Sequence, residues 1–292
     1  MNDRSDPDVS VVAVLGLGEA GSRYAADLLA AGCAVVGYDP VARPGLPGLR
    51  QVDGPAGAVR AAQVVLSLNA AHVAQRVAAD AAPGLRPGTV YADLNTSAPE
   101  VKRRVAATVE PTGAAFVDVA VLAPVPRSGL RTPVAVAGPG RERLADFLAS
   151  FGVQVEDAGP EPGAAAGRKL LRSVFMKGVA AVLLESLEIA ALAGQEDWVR
   201  EQIVGEFTAA DRAFVDRLVD GTPQHARRRL DEMRAAAAYA ADLGAHHDVT
   251  SATIAGLERL VARSRRPDPN DADPNDADPN DANDAEREEQ RP

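Results

Sequence analysis

The sequence predicts an α/β protein: a doubly wound sheet followed by an all-α C-terminal domain. Three observations carry this. Residues 9–21 run from a β-branched stretch, Val-Ser-Val-Val-Ala-Val-Leu, into glycines at 16, 18 and 21, and a helical pattern follows. Short apolar runs then alternate with helical patterns through the first half of the chain, the mark of βαβ construction. After Gly163 strand-like alternation stops, and helical periodicity continues to about residue 264.

The first element is a strand that ends in Gly16-Leu17-Gly18-Glu19-Ala20-Gly21. A strand, Gly-x-Gly-x-x-Gly and a helix in this order form the Rossmann dinucleotide fingerprint. Gly16 permits the tight turn, Gly18 lets a pyrophosphate approach the backbone, and Gly21 lets the helix pack closely on the strand. The helix, Ser22 to Ala31, stops at Gly32, and its free N–H groups and positive dipole end face the phosphates. Residues 16–21 are therefore expected to bind the cofactor. A second strand, Cys33 to Tyr38, ends at Asp39. A carboxylate there accepts hydrogen bonds from the adenosine ribose hydroxyls and repels a 2′-phosphate, which favours NAD over NADP. Arg43, four residues on, is the alternative, suited to NADP.

Val64–Leu68 reads as a strand ending at Asn69, a further cofactor-site candidate, and residues 72–80 as a helix. Thr89–Ala92 is the next strand. Ser97 is a plausible N-cap and Pro99 an early-turn proline for the helix after it. Strands at Phe116–Val121 and Pro133–Ala137, a helix at Arg141–Ser150 and a short strand at Val153–Val155 complete the sheet. Helices are expected at about 164–193, 197–219, 224–243 and 250–264, with a small-residue segment at Ala235–Ala238.

The resulting plan is a disordered N-terminus (1–8), a Rossmann NAD(P)-binding domain (9–162), an all-α substrate and dimerisation domain (163–265) and a disordered acidic tail (266–292). The tail repeats Asp-Pro-Asn-Asp-Ala and carries seven of the ten net negative charges, a composition unable to form a core. Neither body nor tail has the basic balance of a nucleic-acid binder. No apolar run reaches membrane-spanning length, the polar start is no secretory signal, and the single cysteine, Cys33, fits a cytoplasmic setting. His225, His246 and His247 belong to no ligand cluster, so no metal is expected.

Four ordered motifs resemble the β-hydroxyacid dehydrogenase and 6-phosphogluconate dehydrogenase superfamily, in a branch with a compact α-helical C-terminal domain. They are the glycine loop, Asp93-Leu-Asn95-Thr96-Ser97-Ala-Pro99, Phe116-Val-Asp118-Val-Ala-Val121, and Gly163 followed six residues later by Lys169. The resemblance implies a hydride transfer between NAD(P) and a small hydroxy acid or sugar acid, with Lys169 as the catalytic proton-transfer group. Thr96 and Asn95 then orient the substrate, and Thr96 also lies at the cofactor. Lys169, Arg172, Ser173, Met176 and Lys177 share one helical stripe by spacing, so Arg172, Ser173 and Lys177 are expected to hold a small anionic substrate. The sequence also departs from the family. Leu122-Ala123-Pro124 stands where hydroxyisobutyrate-type members carry Ser-Gly-Gly, and Pro124 has no N–H to offer an anion. Ser173 replaces the family's asparagine. An imine reductase and a non-catalytic dinucleotide sensor are the alternative functions. The long helix and the segment 235–238 point to a homodimer formed through the C-terminal domain; Arg227, Arg228 and Arg229 either reach a partner's site, as the resemblance implies, or form a solvated helix face.

Overall fold

The computed structural model describes residues 10–264; the ends expected to be disordered, 1–8 and 266–292, lie outside them. Eight strands form one sheet: β1 (Val11–Leu15), β2 (Ala34–Tyr38), β3 (Arg50–Gln51), β4 (Val64–Ser67), β5 (Val90–Asp93), β6 (Ala115–Val121), β7 (Val134–Ala137) and β8 (Val155–Asp157). Their order is β3-β2-β1-β4-β5-β6-β7-β8. The strands are parallel except where β7 runs antiparallel to β6. The order reverses between β1 and β4, and such switch points open a ligand crevice at the carboxyl ends of the strands.

Successive residues of a strand point to opposite faces, and both faces of this sheet are covered. Val12, Val14, Val35 and Leu66 face one core; Ala13, Leu15, Val36 and Val65 face the other. Covering them are α1 (Glu19–Ala30), α2 (Pro55–Val59), α3 (Ala74–Ala81), α4 (Pro99–Val109) and α6 (Arg141–Ala149), with the single turn α5 (Val125–Ser128) on the β6–β7 connection. Burial on both sides explains the near-continuous apolar strands.

Several local expectations are corrected. Cys33 sits, half-buried, in the turn before β2 rather than in the strand. The Pro/Gly-rich stretch after Asp39 contains the short edge strand β3 and helix α2, too brief for periodicity to reveal. The last strand lies two residues beyond its expected place.

Helix α7 spans Ala164–Leu192. The chain divides into two compact units between Phe175 and Met176, inside this helix. Its head belongs to the first unit because Ala165 packs with Ala120, Ala135 and Ala137 of β6 and β7. The second unit adds α8 (Glu196–Ala209), α9 (Arg212–Gln224), α10 (Ala226–Asp242) and α11 (Asp248–Arg263). The single helix expected over 197–219 is two. The carboxylate of Asp211 accepts from the Phe214 N–H at 2.8 Å, a side-chain N-cap that starts a new helix. Within this unit α10 packs on α11 around Ala226, Leu230 and Leu257.

Candidate dinucleotide and catalytic site

The glycine loop turns as its sequence requires. Gly16 adopts φ +99°, and its N–H donates to the Tyr38 carbonyl at 2.8 Å. A Cβ on Gly16 would lie 2.3 Å from the Leu68 carbonyl oxygen. A Cβ on Gly21 would lie 1.8 Å from the Gly16 carbonyl oxygen, against 3.6 Å from Val14. Gly21 is therefore needed mainly because the helix rests on the turn, and less because it rests on the strand. Leu17 is buried. Gly18 is the N-cap of α1 and has no side-chain cap, and nothing lies within 4 Å of where its Cβ would be. The exposed Gly18 and Glu19, with half-buried Ala20, thus present the uncapped start of a helix to open space, a fit for a pyrophosphate.

Asp39 is held from three sides. Its Oδ2 accepts from Leu17 N at 2.8 Å, and its Oδ1 from Val41 N at 2.8 Å and Ala42 N at 2.7 Å. Burial pushes its carboxyl up, but the three N–H groups outweigh this and hold it below the ordinary range. Asp39 therefore ties the glycine turn to the loop after β2. The Arg43 guanidinium donates to the backbone carbonyls of Asp39 and Ala42.

A polar row crosses the sheet at the same height: Ser67 pairs with Asp93, and Asp93 with Asp118. Above it lie Asn69 and Asn95. The Asn69 N–H donates to Asn95 Oδ1, and Asn69 Nδ2 to Ser67 Oγ. Asn95 Nδ2 donates to Asp93 Oδ1 and, at 3.4 Å, to Ser67 Oγ. Asn95 is 3% exposed, so its amide joins the loops of β4 and β5 from below rather than facing the solvent. Thr96 follows it and is exposed. Ser97 does not cap α4: the N-cap is Ala98, Pro99 opens the helix, and the buried Ser97 hydroxyl has no partner among the described residues.

Lys169 Nζ donates to Thr96 Oγ1 at 2.9 Å. Two motifs that are 73 residues apart in sequence thus meet at the carboxyl edge of the sheet. A close approach makes this possible. Gly163, φ +98°, is so near α4 that a Cβ would lie 2.9 Å from the Pro99 carbonyl oxygen. Farther along α7, Arg172 and Lys177 are exposed and Ser173 is half-buried; among the described residues none of the three has a hydrogen-bond or ion-pair partner. In the second unit Arg228 pairs with Glu232, and Arg229 donates to Thr222 Oγ1. Among the described residues no cluster of His, Cys, Asp and Glu could hold a metal, and no helix is long and apolar enough to cross a membrane.

One functional candidate escaped the sequence reading. Lys102 on α4 is 1% exposed. Its ammonium lies 2.6 Å from the Asp93 carbonyl oxygen, 3.5 Å from Asp93 Oδ1 and 3.3 Å from Asp118 Oδ1. Burial raises the Asp93 carboxyl above its ordinary value, although Lys102 opposes this. Asp118 Oδ2 accepts from Ala166 N, in the first turn of α7, at 2.9 Å. The missed signal was a helical stripe: Lys102, Val105, Ala106 and Val109 follow the i, i+3, i+4, i+7 spacing of a buried face.

The chain is similar to several known proteins. Residues 11–129 match the family model of the NAD binding domain of 6-phosphogluconate dehydrogenase, and residues 190–260 match a domain of unknown function, DUF1932. A conserved hypothetical protein from Sinorhizobium meliloti 1021 is 31% identical, covering 86% of this chain and 88% of that one, with a TM-score of 0.58. A conserved protein of unknown function, described as structurally similar to 3-hydroxyacid dehydrogenases, is 28% identical over 87% and 98% of the two chains, with a TM-score of 0.57. An imine reductase from Streptomyces aurantiacus shares the fold, with a TM-score of 0.74 at 20% identity over 88% and 100%. An uncharacterised 28.5 kDa protein of Methanothermus fervidus is 31% identical over 147 residues, 49% of this chain, which spans about half (55%) of that relative's length.

Proposed function

The chain belongs to the 6-phosphogluconate dehydrogenase-like superfamily of NAD(P)-dependent oxidoreductases, and from that premise we propose that it transfers a hydride between the nicotinamide and a CH–OH group of a small hydroxy acid or sugar acid. The observation that carries this is the 2.9 Å contact between Lys169 and Thr96. It lies at the edge of the sheet where open α/β folds bind ligands. The nicotinamide, when bound, supplies or accepts the hydride. Thr96 fixes the substrate hydroxyl by hydrogen bonding. Lys169 takes the hydroxyl proton as the alcohol is oxidised and returns it in the reverse direction. Arg172 and Ser173, one turn along α7, are assigned to the substrate's anionic group; Lys177 is assigned to it by its place on the same stripe alone. Asn69 and Asn95 act beneath, as the link between the β4 and β5 loops.

The free N–H groups at the start of α1, residues 18–21, hold the pyrophosphate, and the Asp39 carboxylate favours NAD. Arg43 is the neighbour that would serve NADP. The C-terminal unit is proposed to pair with a second copy about a twofold axis. Helices α8 and α9 contain no buried residue, and helices of 14 and 13 residues do not persist in water unaided. A second copy is the natural cover because the unit's small core, around Ala226, Leu230 and Leu257, lies between α10 and α11 and leaves the apolar side chains of α8 and α9 uncovered. The one thiol, Cys33, suits a cytoplasmic setting.

Likeness to an imine reductase favours one second reading, reduction of a C=N bond. Both readings are tested together by following NAD(P)H absorbance with a panel of hydroxy and sugar acids and with cyclic imines. Turnover with an acid and none with imines is expected; turnover with imines alone would overturn the first reading.

A further inference from the structure

Of the chain's thirty-one basic side chains, only three are lysines: Lys102, Lys169 and Lys177. Everywhere else it uses arginine. A lysine is a compact charge that fits where the broad guanidinium fork cannot, and Lys102 occupies such a place. A buried ammonium between carboxylates is not needed for stability, because an apolar side chain of similar volume commonly does as well or better. The cluster also carries one more negative than positive charge. Asp93 Oδ2 and Asp118 Oδ1 accept no hydrogen bond among the described residues, although the ammonium lies near the latter. Lys102 thus needs an account beyond packing.

The two aspartates are direct partners across β5 and β6, and each has a second task. Asp93 Oδ1 accepts from the Asn95 N–H at 2.9 Å, the residue before Thr96. Asp118 Oδ2 holds the Ala166 N–H, three residues before Lys169. The Lys102 ammonium touches both carboxylates and the Asp93 carbonyl. We propose that Lys102 is a positioning residue: it locks the Asp93 loop and the Asp118-held head of α7 in one register, and so sets Thr96 against Lys169. It does this without touching either member of the pair. The proposal rests on reading Lys169 and Thr96 as the reacting pair.

With three lysines in the chain, growth on isotopically labelled lysine gives three side-chain NMR signals, and Lys177→Arg identifies one of the two on α7. Two variants are compared, Lys102→Met and the double variant Lys102→Met with Asp93→Asn, which keeps the cluster's net charge. In both, the Lys169 signal is expected to move towards that of Lys177, while titrated dinucleotide affinity changes by less than about threefold, under 1 kcal/mol. On an identified substrate, turnover should fall on the order of 10²-fold, the effect of an ångström-scale misplacement. Restoration of the native Lys169 signal in the double variant would overturn the proposal, since Lys102 would then only neutralise charge. An unmoved signal in a folded single variant would do the same. If neither variant folds, Lys102 is required for the fold itself and the proposal fails. The signals can be read even if no hydroxy acid is turned over, so this test fails independently of the proposed reaction.

Discussion

The sheet unit and the helical unit bury their apolar residues very differently. In the first, both faces of the sheet are covered and strands β1, β4 and β5 are almost wholly inaccessible. In the second, the buried cluster is Ala226, Leu230 and Leu257, while Trp198 and Phe207 on α8 and Val219 on α9 are more than half exposed. Apart from Val41, every large apolar side chain that stands exposed among the described residues lies on α7, α8, α9 or α10. A Rossmann sheet completes its own core through its crossovers. The helical unit buries less of its apolar surface, its buried cluster joining α10 to α11.

The largest effect should come from attacking that contrast. Trp198→Asp combined with Phe207→Asp should convert a species of twice the 30.3 kDa chain mass into monomer, with loss of helical circular dichroism and little change in dinucleotide binding. Light scattering that shows a wild-type monomer at micromolar concentration would remove the contrast. Next in size is Lys169→Met, which keeps the stem and deletes the ammonium. Turnover should fall by about 10² to 10⁴. Dinucleotide affinity, set at the glycine loop, should hold within about twofold, since no contact with that loop is removed.

A smaller effect sharpens the stability side of the comparison. Glu185 on α7 accepts from Val249 N, Thr250 N and Thr250 Oγ1 at 2.6–2.8 Å, capping α11 from outside because His247, its N-cap residue, offers no side-chain cap. Glu185→Gln should destabilise the helical unit by about 1–2 kcal/mol. Burial pushes the Glu185 carboxyl up, but these hydrogen bonds outweigh it and hold it below the ordinary range. A carboxyl depressed on folding stabilises above its unfolded value, about 4.3, and loses that contribution as pH falls through the folded value. The melting-temperature gap between wild type and variant should therefore be full near neutrality and close in acid. A gap independent of pH would show that the cap acts by shape alone. The smallest effect is Asp39→Ala, which should weaken NAD binding and narrow the NAD/NADP ratio. Tighter binding of NADP by the wild type would instead assign the pocket to Arg43.

The legible part of the site was the part written in local chemistry. Gly16 and Gly21 were readable because backbone φ and contact with a carbonyl exclude every side chain there. Asp39 was legible as the acid at the end of the second strand, but its hold on the N–H groups of Leu17, Val41 and Ala42 was not. Asn95, expected to orient the substrate, turns its amide inward to Asp93 and Ser67, an arrangement set by neighbouring strands and not by local spacing. Ser97 looked like a cap because the residue type and the following proline fitted one, but the chain turns one residue later. The break at Ala210 was hidden because the apolar pattern ran through it.

Apart from β3, α2 and the break between α8 and α9, the sequence by itself determined the order of strands and helices, the glycine turn and the change from sheet to helices after Gly163, because periodicity and glycine sterics act over a few residues. Only the tertiary structure decided that Lys102 would sit between Asp93 and Asp118, that Asp118 would grip the head of α7, and that Lys169 would meet Thr96. Those contacts depend on which strands become neighbours and at what register. Strand pairing brings Asp93 level with Asp118 across 25 residues of chain, a distance over which no local spacing rule applies.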